Sequence, residues 1–190
     1  MVLYKFGEIS RYCVNNRIKA FLTMAKATQT EKTATGTIAL DAKDLAILHL
    51  LQQNARMTVK EIADKIHLST TPIHERIKRM EANGVIKQYA TLVDHTKVKK
   101  GLIAICYVSL KEHNKAAGTK FVKAILQMAD VVECYTISGE FDFMLKVMCA
   151  DMNAYHDFHV NKLSNIENIG HMQSVFVMGV IKQTHQLVHE

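Results

Sequence analysis

Residues 68–86 read LSTTPIHERIKRMEANGVI. Ile73, Ile77 and Met80 recur at helical spacing and form one apolar stripe. Ser69 stands at an N-cap position, and Pro72 falls in the first turn, where a missing N–H leaves no bond unmade. Asn83-Gly84 ends the helix, because glycine accepts the left-handed conformation there. Away from the stripe lie Thr70, Thr71, His74, Glu75, Lys78 and Arg79, with Arg76 near the boundary. Such a face is either solvated or built for contact, and the preceding sequence favours contact.

Upstream, Asp41 is positioned to cap a helix with Asp44 in its first turn and Leu45, Leu48 and Leu51 on one stripe. Thr58 and Glu61 have the spacing of a capping box, and Val59, Ile62, Ala63 and Ile66 follow at helical intervals. This second helix is short and ends near His67. Three helices with a tight turn before the third make a helix-turn-helix unit, whose third helix enters the major groove of DNA N-terminus first. Ser69, Thr70, Thr71 and His74 suit base edges. Arg76, Lys78 and Arg79 suit phosphates or guanine.

Downstream, Val85 to Asp94 reads as an extended connector, and Gly101 opens a second domain. The expected order is a strand over 102–111, a helix over 115–129, strands over 131–138 and 141–149 around a tight Gly139-Glu140 turn, a helix over 152–163 and a strand over 171–182. The first helix turns Phe121, Val122, Ile125 and Leu126 inward, and the second Met152, Tyr155, Phe158 and Leu163. β-α-β-β-α-β is the ferredoxin-like plan, so the fold class is α+β. Both faces of the first and last strands are apolar: Ala104, Cys106 and Val108 oppose Ile103, Ile105 and Tyr107, and Phe176, Met178 and Val180 oppose Val175, Val177 and Ile181. Two helices cover one sheet face, so a second copy is expected on the other, giving an obligate dimer. The alternative cover is the connector or the N-terminal arm.

Charge is uneven along the 190 residues, whose net charge is +6. Residues 1–40 carry +4, residues 41–99 carry +3 and residues 100–190 carry −1. A basic front fits an anionic partner, although a lysine-rich solvated surface gives the same balance. The organisation expected is a basic, flexible extension over 1–39, a DNA-binding domain with its connector over 40–100, and an effector-binding and oligomerisation domain over 101–190. Met1 to Thr23 lacks the apolar core of a secretory signal, and Met24 is an alternative start. No run is long and apolar enough for a membrane span, and Cys106, Cys134 and Cys149 read as reduced core residues, as in a cytoplasmic protein; Cys13 lies apart.

Other chemistry finds little support. His156 and His159 sit one helical turn apart, but spacing places no third metal ligand. His113, His171, His185 and His189 read as surface or strand-end residues. The hydrolase, phosphate-loop, dinucleotide and zinc-protease motifs are missing from the sequence, which reads as non-enzymatic and without cofactor.

Four stretches carry a family resemblance: LDAKDLAILHLLQQNARMTVKEIADKIHLS, STTPIHERIKRMEANGVIKQYATLVD, ISGEFDFMLKV and MNAYHDFH. Over about four-fifths of its length the chain resembles the leucine-responsive regulatory protein/AsnC family of transcription regulators. The resemblance implies a winged-helix-like DNA-binding domain, a ferredoxin-like domain binding an amino acid such as leucine, and dimers that assemble further, often to octamers. It implies an effector site between dimers at the turn Ser138, Gly139, Glu140, Phe141 and Asp142. Within that turn, Gly139 permits close backbone approach, and Asp142 is suited to accept from an α-ammonium. An ordinary hairpin with an exposed aspartate is the plainer reading of the same residues. The basic N-terminal extension departs from the family pattern. Three functions follow: an amino-acid-responsive regulator, an architectural DNA-wrapping protein, or a stand-alone amino-acid-binding module. The helical front half argues against the third.

Overall fold

In the computed structural model, which describes residues 38–188, Asp41 opens helix α1 (Ala42–Gln53) through a reciprocal capping box. Its Oδ1 accepts the Asp44 N–H at 2.8 Å, and Asp44 Oδ2 accepts the Asp41 N–H at 3.1 Å. Thr58 and Glu61 repeat the device at the start of α2 (Val59–Ile66), which stops where His67 adopts the left-handed conformation at φ 58°. Helix α3 spans Thr70–Ala82, and Ser69 caps it by position, without a side-chain bond. At the far end Gly84 takes φ 69°, and the N–H groups of Val85 and Ile86 both donate to the Met80 carbonyl.

These helices enclose Ile47, Ile62, Ala63, Ile66, Ile73, Ile77 and Met80. The expected α1 stripe needs correction. Leu45 is 41 % exposed, whereas Asp44 is fully buried beside Ile47, with Leu48 and Leu51 half-buried. Helical phase puts residues 44, 47, 48 and 51 on one side, so an acid occupies a core position. The same compact unit takes in residues 180–188. Gln52 Oε1 accepts the Leu187 N–H at 2.6 Å and the Val188 N–H at 3.4 Å. The extension expected over 1–39, with Cys13, lies outside the described residues apart from its last two positions.

A second compact unit, Val93–Gly179, contains β1 (Leu102–Leu110), α4 (Lys115–Ile125), β2 (Val131–Thr136), β3 (Phe143–Cys149), α5 (Met152–Asp157) and β4 (Ile169–Phe176). The sheet is antiparallel in the order β2-β3-β1-β4, the expected ferredoxin-like arrangement. One face, with Ala104, Cys106, Val108, Phe143, Leu145 and Val147, packs against Phe121, Ile125, Tyr155, Phe158 and Leu163 of the helical layer. The Phe121 and Phe143 ring centroids are 4.4 Å apart. The other face leaves Ile105, Tyr107, Met144 and Met148 half-buried and Val175 41 % exposed.

Several expectations fail in detail. Leu126 and Met152 point outward rather than into the core, because α4 ends at Ile125 and Met152 lies at the first turn of α5. The second helix is not α-helical throughout: it widens to a π-helix over Phe158–Leu163, where the Ser164 N–H donates to the His159 carbonyl. β4 ends at Phe176 instead of Lys182, because its partner β1 begins at Leu102 and Val177 makes the last bond, to Ile103. Cys106 and Cys149 are buried as expected, but Cys134 is exposed on edge strand β2; all three are unpaired. Burial pushes the Cys106 thiol up, and its sulfur lies 3.2 Å from the Tyr155 hydroxyl.

Asp130 ties this unit together electrostatically. It accepts from Lys162 at 2.7 Å and from Lys100 at 2.9 Å, and those ammonium groups, Lys162 foremost, hold its carboxyl below the ordinary value of 3.8. A group more acidic in the folded state stabilises it above its unfolded pKa and loses that contribution as pH falls through the folded value. Denaturation midpoints of the wild type should therefore fall more steeply than those of Asp130→Asn as pH drops below 3.8. Parallel acid profiles would remove this role from Asp130.

Candidate DNA-binding surface and effector loop

Helix α3 is held by the buried side chains Ile73, Ile77 and Met80, which fix its rotation. With that stripe inward, Ser69, Thr70, Thr71, His74, Glu75 and Lys78 are all exposed. They form a continuous outer face from the N-cap into the third turn, spaced as groove-reading side chains need to be.

The two arginines behave differently. Arg76 Nη1 donates to Asp41 Oδ2 and to Asp44 Oδ1, each at 2.7 Å. Arg79 Nη2 donates to Asp44 Oδ2 at 2.6 Å. Side-chain exposure is 25 % for Arg76 and 44 % for Arg79, while that of Asp44 is 0 %. The bonds from Asp41 and Asp44 push the Arg76 guanidinium up. The Asp44 N–H, then Arg76, hold the Asp41 carboxyl down. Both arginines thus spend donors on the start of α1, a commitment that helical spacing alone did not reveal. At the end of α3, the Tyr89 hydroxyl donates to Glu81 at 2.8 Å and is pushed up to about 12, mainly by burial.

The turn read as two residues is a wider loop, 137–142, closed by the Ile137 N–H donating to the Asp142 carbonyl. The Asp142 N–H donates to the Val108 carbonyl of β1, continuing the β1–β3 ladder one residue before Phe143. Ser138, Gly139 and Glu140 remain exposed at its rim. Gly139 has φ 125°, and a Cβ there would meet nothing within 4 Å, so backbone conformation, not space, selects glycine. The Ser109 hydroxyl donates to the Glu140 carbonyl, and Phe141 stacks on His171 at a centroid distance of 5.7 Å and meets Tyr107 in a tilted contact at 5.4 Å.

Asp142 is not the exposed aspartate of an ordinary hairpin, the plainer of the two readings. It is 2 % exposed; its Oδ2 accepts the Leu110 N–H at 2.8 Å and lies 3.2 Å from His113 Nδ1. It anchors the loop from beneath. His113, read as a surface residue, is exposed and lies with one ring nitrogen against Asp142. No group of three or more His, Cys, Asp or Glu side chains that could hold a metal ion occurs among the described residues. Nor is any helix among them long and apolar enough to cross a membrane.

The chain matches known proteins in both halves. Residues 40–87 match the winged helix-turn-helix DNA-binding family, and residues 103–187 match the Lrp/AsnC ligand binding domain. The leucine-responsive regulatory protein of Haemophilus influenzae is 34 % identical over 79 % of this chain and 90 % of its own. The DNA-binding transcriptional activator DecR of Escherichia coli is 30 % identical over 78 % of this chain and 97 % of its own. Among solved structures, a transcriptional regulator from Neisseria meningitidis in complex with L-Met superposes with a TM-score of 0.75 at 34 % identity, covering 78 % of this chain and 96 % of the other. The chain belongs to the Lrp/AsnC family of transcription regulators.

Proposed function

We propose that this protein reads DNA sequence with α3 and that an amino acid bound at the 137–142 loop alters its occupancy of DNA. The observation that carries the first half is the exposed face of Ser69, Thr70, Thr71, His74 and Lys78 on a helix whose opposite side is locked by Ile73, Ile77 and Met80. Base readout requires such rigid presentation of hydrogen-bonding groups. Thr70, Thr71 and His74 meet base edges, and Lys78 meets phosphate. The family likeness and the L-Met complex of the Neisseria regulator support the second half.

The effector site comprises the exposed rim Ser138, Gly139 and Glu140, with Asp142 beneath it as the residue that holds its shape. The protein works as a dimer through the open sheet face of Ile105, Tyr107, Met144 and Met148, and dimers assemble further, up to an octamer. Support for this comes from the half-buried apolar character of that face and from the family likeness. The functional division proposed is a DNA-binding domain over 40–100 and an effector and oligomerisation domain over 101–190, with a basic extension before them; the compact units differ from it, dividing at Leu92/Val93 and returning residues 180–188 to the helical unit. The cytoplasm is the compartment that fits a DNA-binding regulator.

Gel-shift titration of the full chain on duplexes it selects from a randomised pool, with and without a panel of amino acids, tests both halves. An amino acid should change affinity or stoichiometry, because a ligand shifts an equilibrium only by its differential affinity for the states. No response to any amino acid would leave an architectural DNA-wrapping protein. Lys78→Ala should weaken binding to all duplexes and reduce the log–log salt slope by about one for each phosphate no longer neutralised. An unchanged slope would take Lys78 off the phosphates.

A further inference from the structure

We propose that Asp44 is a positioning residue for DNA recognition: through Arg76 and Arg79 it sets the pose of α3, and it withholds both guanidinium groups from the DNA backbone. The inference rests on the DNA-binding reading above. Asp44 lies at the start of α1, yet its partners lie 32 and 35 residues later on α3. Its side chain is fully buried, and both oxygens are occupied: Oδ1 by Arg76 and Oδ2 by Arg79 and the Asp41 N–H. Arg76 also reaches Asp41, so two carboxylates neutralise two guanidinium groups.

This geometry separates two duties usually given to arginines on a recognition helix. A phosphate contact adds attraction to any duplex and steepens the salt dependence. A clamp adds no net charge to the surface but fixes where neighbouring side chains sit. Base discrimination depends on such placement to within about half an ångström. The apolar stripe sets the rotation of α3, but bonds at two successive turns set its tilt and advance along its axis. Thr71 and His74 precede Arg76, so a shift of α3 moves them together.

Two substitutions read the difference. Asp44→Asn keeps the shape and one acceptor oxygen but removes the negative charge that restrains Arg79, which is already 44 % exposed. Arg79→Gln tests the same bond from the helix side, at a half-exposed position where folding is less at risk. Full-length protein is titrated against a duplex selected by the wild type from a randomised pool and against a scrambled duplex of equal length, across a salt series. Asp44→Asn should lower the ratio of specific to non-specific affinity about tenfold or more, while affinity for the scrambled duplex holds or rises and its salt slope steepens. Arg79→Gln should lower the same ratio with no change in slope. If Arg79→Gln instead flattens the slope by about one and leaves the ratio intact, Arg79 is a phosphate contact and the clamp is overturned. A wild type that enriches no sequence from the pool would defeat the DNA-reading function itself, and the positioning role with it.

Discussion

Replacing Asp142 by alanine is expected to destabilise the ferredoxin-like unit by roughly 2–3 kcal/mol and to abolish the effector response as a consequence. Asp142 is 2 % exposed, and its Oδ2 receives the Leu110 N–H at the end of β1. Leu110 is itself buried, so alanine would leave that amide without an acceptor and away from water. An orphaned buried donor costs about 1–3 kcal/mol, and hydrogen bonds to charged groups lie at the upper end of the net scale. The loss falls where Asp142 closes the loop and bonds to β1, so the 137–142 loop loses its support when the unit loosens. Asp142→Asn keeps an acceptor oxygen and should recover most of the stability. Urea denaturation of both variants, paired with effector titration, separates this role from direct binding of an α-ammonium. A supporting residue makes stability and response fall together in the alanine variant and return together in the asparagine variant. An alanine variant with a wild-type midpoint and no effector response would restore Asp142 as a ligand-binding group.

How far the sequence revealed this arrangement depends on the range of the interactions involved. Helix starts were legible because capping is local: Asp41 with Asp44 and Thr58 with Glu61 complete their bonds within three residues. The α3 stripe was legible for the same reason, since Ile73, Ile77 and Met80 share a face by helical period alone. The fates of the polar residues were not. Nothing near Arg76 or Arg79 announces that an acid more than thirty residues earlier will claim them. That Asp44 lies in phase with Ile47 and Leu51 was visible, and an acid on an apolar stripe is a usable sign of a buried ion pair. The burial of Asp142 was not legible, because its carboxylate accepts the N–H of Leu110, thirty-two residues earlier on another strand. Apolar composition past Phe176 read as strand, although a strand extends only as far as its partner does.

Ile73→Ala is expected to cost the helix-turn-helix unit about 3 kcal/mol and to remove DNA binding by unfolding it. Ile73 is fully buried in α3 and belongs to a core of seven buried apolar residues. A small unit buries a low fraction of its surface and has little stability in reserve. A loss of this size lowers the folded-to-unfolded ratio on the order of a hundredfold. The resulting binding defect differs in kind from that of Asp44→Asn. Fewer folded molecules bind either duplex, so specific and scrambled affinities fall by the same factor and their ratio holds. Cooling towards the temperature of maximum stability should recover both together. Thermal melting followed by circular dichroism, with gel shifts at several temperatures, checks the link. A selective loss of the specific duplex at a temperature where Ile73→Ala is fully folded would mean that the apolar stripe, and not only the Asp44 clamp, sets the pose of the reading face.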